Sequence, residues 1–482
     1  MRSSRHVLDW PNQPLPFKIY SSLAPLALPL TFSASDVAAL HAIGGVCPPT
    51  DRQLDLPMLA RLCYFSNGIT RVLRRMPFRA AACTGALFHI ELYPMCGDLP
   101  GLEAGVYHFG AHDNALRRLR AGDYRAVLVS ATGGEPHIAA APVVFAFTST
   151  WWRNAWKYQA RAYRHAFWDT GTIVANLLAV ACANGVVSHV VVGFADVEVN
   201  RLLDVDPAQE AAICLVALGS GSGAAAAAPP VAALGLPTRP LSAQQVDYPM
   251  IVEAHRASSL ASGDEVAAWR AAGQSVSPPR VRSSRTDGSP SVLLADFSQA
   301  GPHRADSIES VILRRGSSRR FSHDPVTVRE LELMLEAATA PIPSDAPPAL
   351  TQPYLIVNAV EGLDPGAYVF DRAGARLERL KSGNFRREAA FLDLGQDLAG
   401  DAAVNVYWLG SFDRDRDYRA AQLEAAIEGG KLYLAAYALG LGATGLTFFD
   451  DDVTRFFSPH AAGKAVMFLT AVGHPATRRA LI

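Results

Sequence analysis

The longest apolar run lies at about residues 172–193, where Asn176, Asn184, Gly185, Ser188 and His189 interrupt it and divide it in two. That pattern predicts a buried helix followed by a strand. A membrane span would need about twenty predominantly apolar residues without such breaks. Two shorter apolar runs close on glycine and predict strands: AAICLVALG ending at Gly219 and KAVMFLTAVG ending at Gly473. LFHIELY (87–93) predicts another strand. SIESVILRR (307–315) has helical spacing, and a helical patch lies at about 243–273.

The patterned segments occur twice. Residues 101–125 (GLEAGVYHFGAHDNALRRLRAGDYR) align without a gap on 362–386 (GLDPGAYVFDRAGARLERLKSGNFR), with ten of 25 positions identical. Downstream, GFADVEVNRLL (193–203) matches TFFDDDVTRFF (447–457). Each is preceded by an Ala/Leu-rich helix ending in glycine, NLLAVACANG to Gly185 and KLYLAAYALG to Gly440, and followed by an apolar strand. Both halves therefore predict helix, strand, hairpin, long helix, loop and strand. The expected organisation is an N-terminal extension at 1–30, a first domain at 31–220, a linker with a helical segment at 221–304 and a second domain at 305–482. The Gly/Ala/Pro stretch at about 219–240 reads as the linker's start. A fused duplicate usually keeps the geometry of a two-fold dimer, with a site at the shared interface.

Half the residues are apolar and 18% are charged, enough for full cores; the net charge of −1 gives no field that would draw the chain to nucleic acid. Of 44 basic residues only five are lysine (Lys18, Lys157, Lys381, Lys431, Lys464), and a lysine retained against such a bias is a candidate for work that arginine cannot do. Six cysteines without a C-x-x-C pair are too sparse for a disulfide framework, so reduced thiols in a cytoplasmic protein are expected. No apolar segment of a signal peptide follows Met1, and neither H-E-x-x-H, zinc-type Cys/His spacing nor G-x-S-x-G occurs.

Three strings carry candidate chemistry. Arg314-Arg315-Gly316-Ser317-Ser318-Arg319-Arg320 opens the second half, and it suits either a phosphate dianion held by charge-assisted bonds or a solvated basic turn. The corresponding stretch of the first half, Gly44 to Asp51, has no paired arginines. Lys157-Tyr158 suits a proton-transfer pair in which the cation lowers the phenol pKa, or a helix start with a packed aromatic. Cys83-Thr84-Gly85-Ala86 suits close backbone approach to a flat ligand, or a tight packing point. Cys83 has no His near it in sequence to make it a nucleophile. Gly440–Gly445 spells G-x-G-x-x-G but follows a helix, so a helix end is the expected reading and a Rossmann-type NAD enzyme fails on element order.

Taken together, LARLCYFSNGITR (59–71), FRAAACTGALFHIELY (78–93), GLEAGVYHF, KYQARAYRHAFWDTGTIVANLL (157–178) and VVGFADVEVNRLL (191–203) resemble the nitroreductase superfamily of flavoproteins. More narrowly, they resemble its SagB-type, azoline-oxidase-like dehydrogenases, in tandem form. DWPNQPLPFKIYSSLAPLALPL (9–30) resembles the extension ahead of that domain, and RRGSSRRF, PIPSDAPPALTQPYL and ALGLGATGLTFF resemble a plainer nitroreductase. The resemblance implies an α+β fold of two fused nitroreductase-like domains forming an intramolecular pseudo-dimer, with FMN at the interface. It implies phosphate and ring contacts from Arg315, Ser317 and Arg319 and from Arg478 or Arg479; the count of one FMN per chain comes from this chain's departures, since the first half lacks R-x-S-x-R and the second lacks the Lys-Tyr pair. It implies a covering turn at Thr84, Gly85 and Ala86, backbone facing the flavin from Gly445 and Leu446, and catalysis by Lys157 and Tyr158. The expected activity is hydride transfer at flavin N5 on a small molecule or modified peptide, with NAD(P)H as a possible electron donor. Neither nucleic acid nor membrane is an expected partner, and further homodimerisation is left open. The alternative is a flavin-binding or flavin-less scaffold partner in a peptide-modifying assembly.

Overall fold

Two antiparallel seven-stranded sheets organise the chain, one in each half, and their strand orders correspond position by position. The computed structural model describes residues 6–46, 52–221, 227–274, 291–293 and 306–476. The first sheet runs Leu26–Ala27, Ala115–Ala121, Gly105–Gly110, Ile90–Cys96, Val143–Thr150, Glu210–Leu218, Ser188–Val191. The second runs Ser291–Leu293, Arg376–Ser382, Gly366–Asp371, Thr351–Val357, Val404–Gly410, Ala465–Gly473, Gly442–Gly445. The duplicated 25-residue segments form the same hairpin in each sheet. The α+β fold of two fused domains is thus the observed one.

The run at 172–193 is a helix, Ala162–Ala183, and then the strand Ser188–Val191. Its counterpart is Asp415–Ala438. Gly185 and Gly440 both take left-handed φ (69° and 81°) just past these helices, which stops each one. Gly440–Gly445 is therefore a helix end leading into an edge strand, as its position predicts. The helical stretch Trp151–Ala183 is long and apolar enough to cross a membrane, but 89% of its most apolar window is buried in the fold.

The two long helices cross at the interface of the halves. Aligning NLLAVACANG on KLYLAAYALG pairs Gly171 with Ala426 and Ala175 with Gly430. These are the residues that touch: a Cβ on Gly171 would lie 2.4 Å from that of Ala426, and one on Gly430 would lie 2.7 Å from that of Ala175. A residue meeting its own counterpart marks a pseudo-two-fold axis. The flanking ion pairs obey the same axis. Arg161 and Arg164 pair with Asp450, while their counterparts Arg416 and Arg419 pair with Asp196. Arg161 also donates to Phe448 O, and Arg416 to Phe194 O, each at 3.3 Å.

The extension is built into the first half. Leu26–Ala27 adds an edge strand to the sheet, and Lys18 Nζ reaches Glu210 (2.8 Å) and the Tyr93 hydroxyl (2.9 Å). Burial works against the Lys18 charge, but Glu210 outweighs it and raises the ammonium pKa. The linker start runs beside the extension, with Arg239 N bonded to Ile19 O, and the helical patch forms two helices, Pro249–Ala257 and Gly263–Gln274. Cys63, Cys83, Cys96 and Cys214 are free thiols, but Cys182 is disulfide-bonded. The expectation of uniformly reduced cysteines fails there, because sequence spacing says nothing about cysteines that only the fold brings together.

Gly171→Ala is expected to lower Tm in a thermal melt. The new methyl meets Ala426 backbone as well as its side chain, and such overpacking costs about 1–3 kcal/mol. Gly44→Ala, whose nearest neighbour would be 3.9 Å away, serves as the control. A Gly171→Ala protein as stable as the native chain contradicts the close crossing.

Candidate functional site

A cavity of about 710 Å³ opens between the halves beside the helix crossing. Thr84, Gly85, Ala86, Lys157, Tyr158, Arg315, Ser317, Arg319, Gly445 and Leu446 all line it. Ten residues singled out in sequence thus converge on one space that neither half encloses alone. Arg478 and Arg479 lie outside the described residues.

The turn at Thr84–Ala86 forms one wall. Gly85 and Ala86 both take positive φ (62° and 55°). A Cβ on Gly85 would sit 2.8 Å from the Tyr158 hydroxyl, so glycine is required by conformation and by space. Asp169 of the first long helix clamps the turn. It accepts from Thr84 N (2.9 Å), Thr84 Oγ1 (2.6 Å) and Cys83 Sγ (3.0 Å), and bonds to His89 Nε2 at 2.8 Å. Burial pushes this carboxyl up, but His89, Cys83 and Thr84 together outweigh burial and hold it below its ordinary range. Burial and then Asp169 raise the Cys83 thiol well above its ordinary value, so Cys83 is a donor to the clamp and not a thiolate.

Lys157 and Tyr158 end the helix Trp151–Tyr158. Lys157 Nζ lies over the face of the Tyr158 ring, 5.3 Å from its centroid. Burial, Asp169 and Cys83 raise the phenol pKa, with only Arg319 opposing them. This corrects the expectation that Lys157 lowers that pKa. Burial, with the Asp169 charge beside it, disfavours ionisation of the phenol, and the weak cation–π contact with Lys157 does not reverse this.

The arginine cluster divides its tasks. Arg314 pairs with Asp306 (2.6 Å). Arg315 is buried and donates to Ala80 O (3.0 Å) and Arg79 O (3.2 Å), tying the second half to the first. Ser317 Oγ accepts from the Tyr433 hydroxyl at 2.6 Å. Arg319 lines the cavity with no carboxylate partner among the described residues. Arg71, which sequence reasoning passed over, comes from the two-stranded hairpin Ile69–Arg79 of the first half and also lines the cavity. Its Nε is buried without a hydrogen-bond partner, and its guanidinium lies 3.9 Å from where a Gly316 Cβ would be. Burial lowers the Arg315 pKa, and the Arg71 charge adds to that effect. These cations outnumber the one lining carboxylate, Asp169, which is taken up by Cys83, Thr84 and His89, so the set suits an anion. Asp169 was also missed; its signal was a carboxylate set within an apolar helix.

The pseudo-two-fold axis requires a mate to this cavity, and one of about 990 Å³ is present. Val190 and Val192, the counterparts of Thr444 and Leu446, line it, with Pro341–Ala349 opposite. Glu424 is the counterpart of Asp169 and acts similarly, accepting from Thr351 N and Thr351 Oγ1, both at 2.8 Å. The charge has reversed, however. Glu332, Glu336, Asp345, Glu424 and Glu428 line this cavity, and its Arg372 is paired to Glu428 at 2.6 Å.

The nitroreductase family profile matches residues 110–220 and 312–474, more than half of the chain. The chain belongs to the nitroreductase family. Over 98% of its length it is similar to a solved "putative nitroreductase" from Anabaena variabilis, with 26% identity, 96% of that chain covered and a TM-score of 0.75. It is also 24% identical over 152 residues to a "putative nitroreductase" of Methanocaldococcus jannaschii, covering 32% of this chain and 75% of that protein. As a nitroreductase-family chain it is an oxidoreductase.

Glu424 supplies a pH test of the second cavity. Burial and the neighbouring Glu428 push its pKa up to about 7. The folded state therefore holds this proton more tightly than the unfolded chain does, and stability from it is lost as pH rises from about 4.5 to about 7. Glu424→Gln, which cannot ionise, is expected to flatten the Tm against pH curve in that window. An unchanged slope contradicts the assignment.

Proposed function

We propose that this nitroreductase-family chain is an FMN-dependent oxidoreductase of the SagB-type dehydrogenase kind, holding one FMN in the composite cavity. The supporting observation is the group of cavity cations from both halves, Arg71, Arg319 and Lys157, with no carboxylate partner among the described residues. A phosphate dianion is the complement of such a set. The residues fit the cofactor in two further respects. Gly85 keeps the wall free of a side chain, and the orphaned Nε of Arg71 lacks an acceptor.

When bound, FMN supplies the hydride acceptor or donor at N5, and the protein supplies orientation and charge. Arg71 and Arg319 hold the phosphate end, with Ser317 as a neutral neighbour. Thr84–Ala86, clamped by Asp169, covers one face, and the Gly445–Leu446 backbone lies along the other side of the cavity. Tyr158 keeps its proton at neutral pH and offers an O–H beside Gly85, so in the reductive direction it would donate a proton to substrate, and in the oxidative direction the substrate's proton would leave to solvent water. Lys157, whose ammonium lies over the ring face, carries positive charge at the same edge. The substrate is a small molecule or modified peptide; NAD(P)H supplies electrons in the reductive direction. The acidic second cavity repels a phosphate, so one half of the duplicate has given up its cofactor site.

The visible spectrum of the purified protein, with flavin released by heat and counted, is expected to give about one FMN per chain. Two per chain overturns the charge argument for the second cavity. None, even after added FMN, replaces the enzyme with the scaffold reading. Arg71→Ala is expected to weaken FMN binding, followed by flavin fluorescence, about tenfold or more, the scale of one charge-assisted bond. It also lessens the salt dependence of that binding. An affinity within twofold of native removes Arg71 from the phosphate site.

A further inference from the structure

A second cluster of chemically capable side chains lies beside the second cavity, linked to its Asp345 through Arg270. Glu135, at the start of the short helix Pro136–Ala140, is buried, as is most of His189 on the edge strand Ser188–Val191. His137 is half exposed beside them. Glu135 Oε1 lies 2.8 Å from His137 Nδ1 and 3.8 Å from His189 Nε2, and the three ligand atoms fall within 4.8 Å of one another. Ligands about 2.0–2.2 Å from a tetrahedral metal stand roughly 3.3–3.5 Å apart, so only small shifts are needed.

We propose that Glu135, His137 and His189 form a site for a borderline divalent cation of the Zn²⁺ or Ni²⁺ class. Two imidazole nitrogens and one carboxylate oxygen suit these ions, whereas Mg²⁺ and Ca²⁺ take oxygen sets. The fourth position opens to solvent past His137. The two imidazoles are stacked 3.7 Å apart and parallel to within 5°. Parallel rings aim their lone pairs side by side, so capture of the ion turns the exposed His137 ring out of the stack while Glu135 and His189 stay fixed. Arg270 lies 3.5 Å from the other oxygen of Glu135 and orients the carboxylate. Its charge is matched by Asp345 at 3.3 Å, so it does not expel a cation from Oε1. The site joins the loop before Pro136 to the edge strand Ser188–Val191, whose outer side is bridged at Val190 by Pro343 and Asp345. Its effect is to clip the edge of the first sheet, whose Val190 walls the second cavity.

The test uses the full chain, stripped with EDTA and free of any affinity tag, titrated calorimetrically with Zn²⁺. Expected is one Zn²⁺ per chain with a micromolar Kd, at least tenfold weaker in His137→Ala and in His189→Ala. His323→Ala, an exposed histidine paired to Asp401, is expected to leave it unchanged. Zn²⁺ is expected to raise Tm of the native chain and not of His137→Ala, whose exposed position leaves folding intact. Equal binding by native and His137→Ala proteins, absence of micromolar binding, or Ca²⁺ bound as tightly as Zn²⁺ each overturns the proposal.

Discussion

The close crossing of the two long helices sets the geometry of everything else. Gly171 against Ala426 and Ala175 against Gly430 leave no room for a larger side chain in either position. In each pair one glycine has replaced what symmetry would make a pair of alanines or a pair of glycines. Backbones approach closely there, and the turn at Thr84–Ala86 and the strand Gly442–Gly445 line one cavity beside the crossing. The arginine pairs on Asp196 and Asp450 tie each long helix to the other half. The Asp196 pair is nearly fully buried, while Asp450 is partly exposed. Breaking the buried pair leaves an uncompensated charge and is the more damaging of the two.

Fusion of the halves has freed the two cavities to diverge. In a homodimer a substitution appears in both sites at once, whereas in one chain each site can change alone. The first cavity gathers Arg71, Arg319 and Lys157; the second gathers glutamates around Arg372. A carboxylate clamp persists in both, as Asp169 and as Glu424. Asp169 holds the turn at Thr84, whereas Glu424 holds Leu350 and Thr351 at the start of the corresponding sheet strand. The protonation of the clamps differs too. Asp169 is stabilised as an anion by His89, Thr84 and Cys83, whereas Glu424 sits near Glu428 and has its pKa pushed up.

Burial also explains the fate of the uncommon lysines. Lys18 is raised by its buried partner Glu210, whereas burial lowers Lys431 and Lys464 to about 8. Lys157 makes no ion pair among the described residues and lies over the Tyr158 ring in the cavity wall.

Much of this architecture was legible in the chain itself. Period and punctuation predicted the long helices, the glycine that ends each, and the paired hairpins. The gapless 25-residue repeat predicted two like halves, because residues that build the same local structure recur in the same order. The arginine cluster and the Cys-Thr-Gly-Ala turn were visible as unusual local chemistry. What the sequence could not state was which charges remain free, since that depends on partners far away in the chain. Arg315 belongs to a phosphate motif by resemblance, yet Ala80 and Arg79 take its donors. Arg71 looked ordinary until the hairpin placed it beside Gly316. Lys157 and Tyr158 are neighbours in sequence, but only the fold set the ammonium over the ring and Asp169 near the hydroxyl. Cys182 found a disulfide that no spacing announces. Local propensity and repetition are properties of adjacent residues, so the sequence determined the elements and their duplication. Charge compensation and pKa are properties of distance and burial, and those the tertiary structure alone decided.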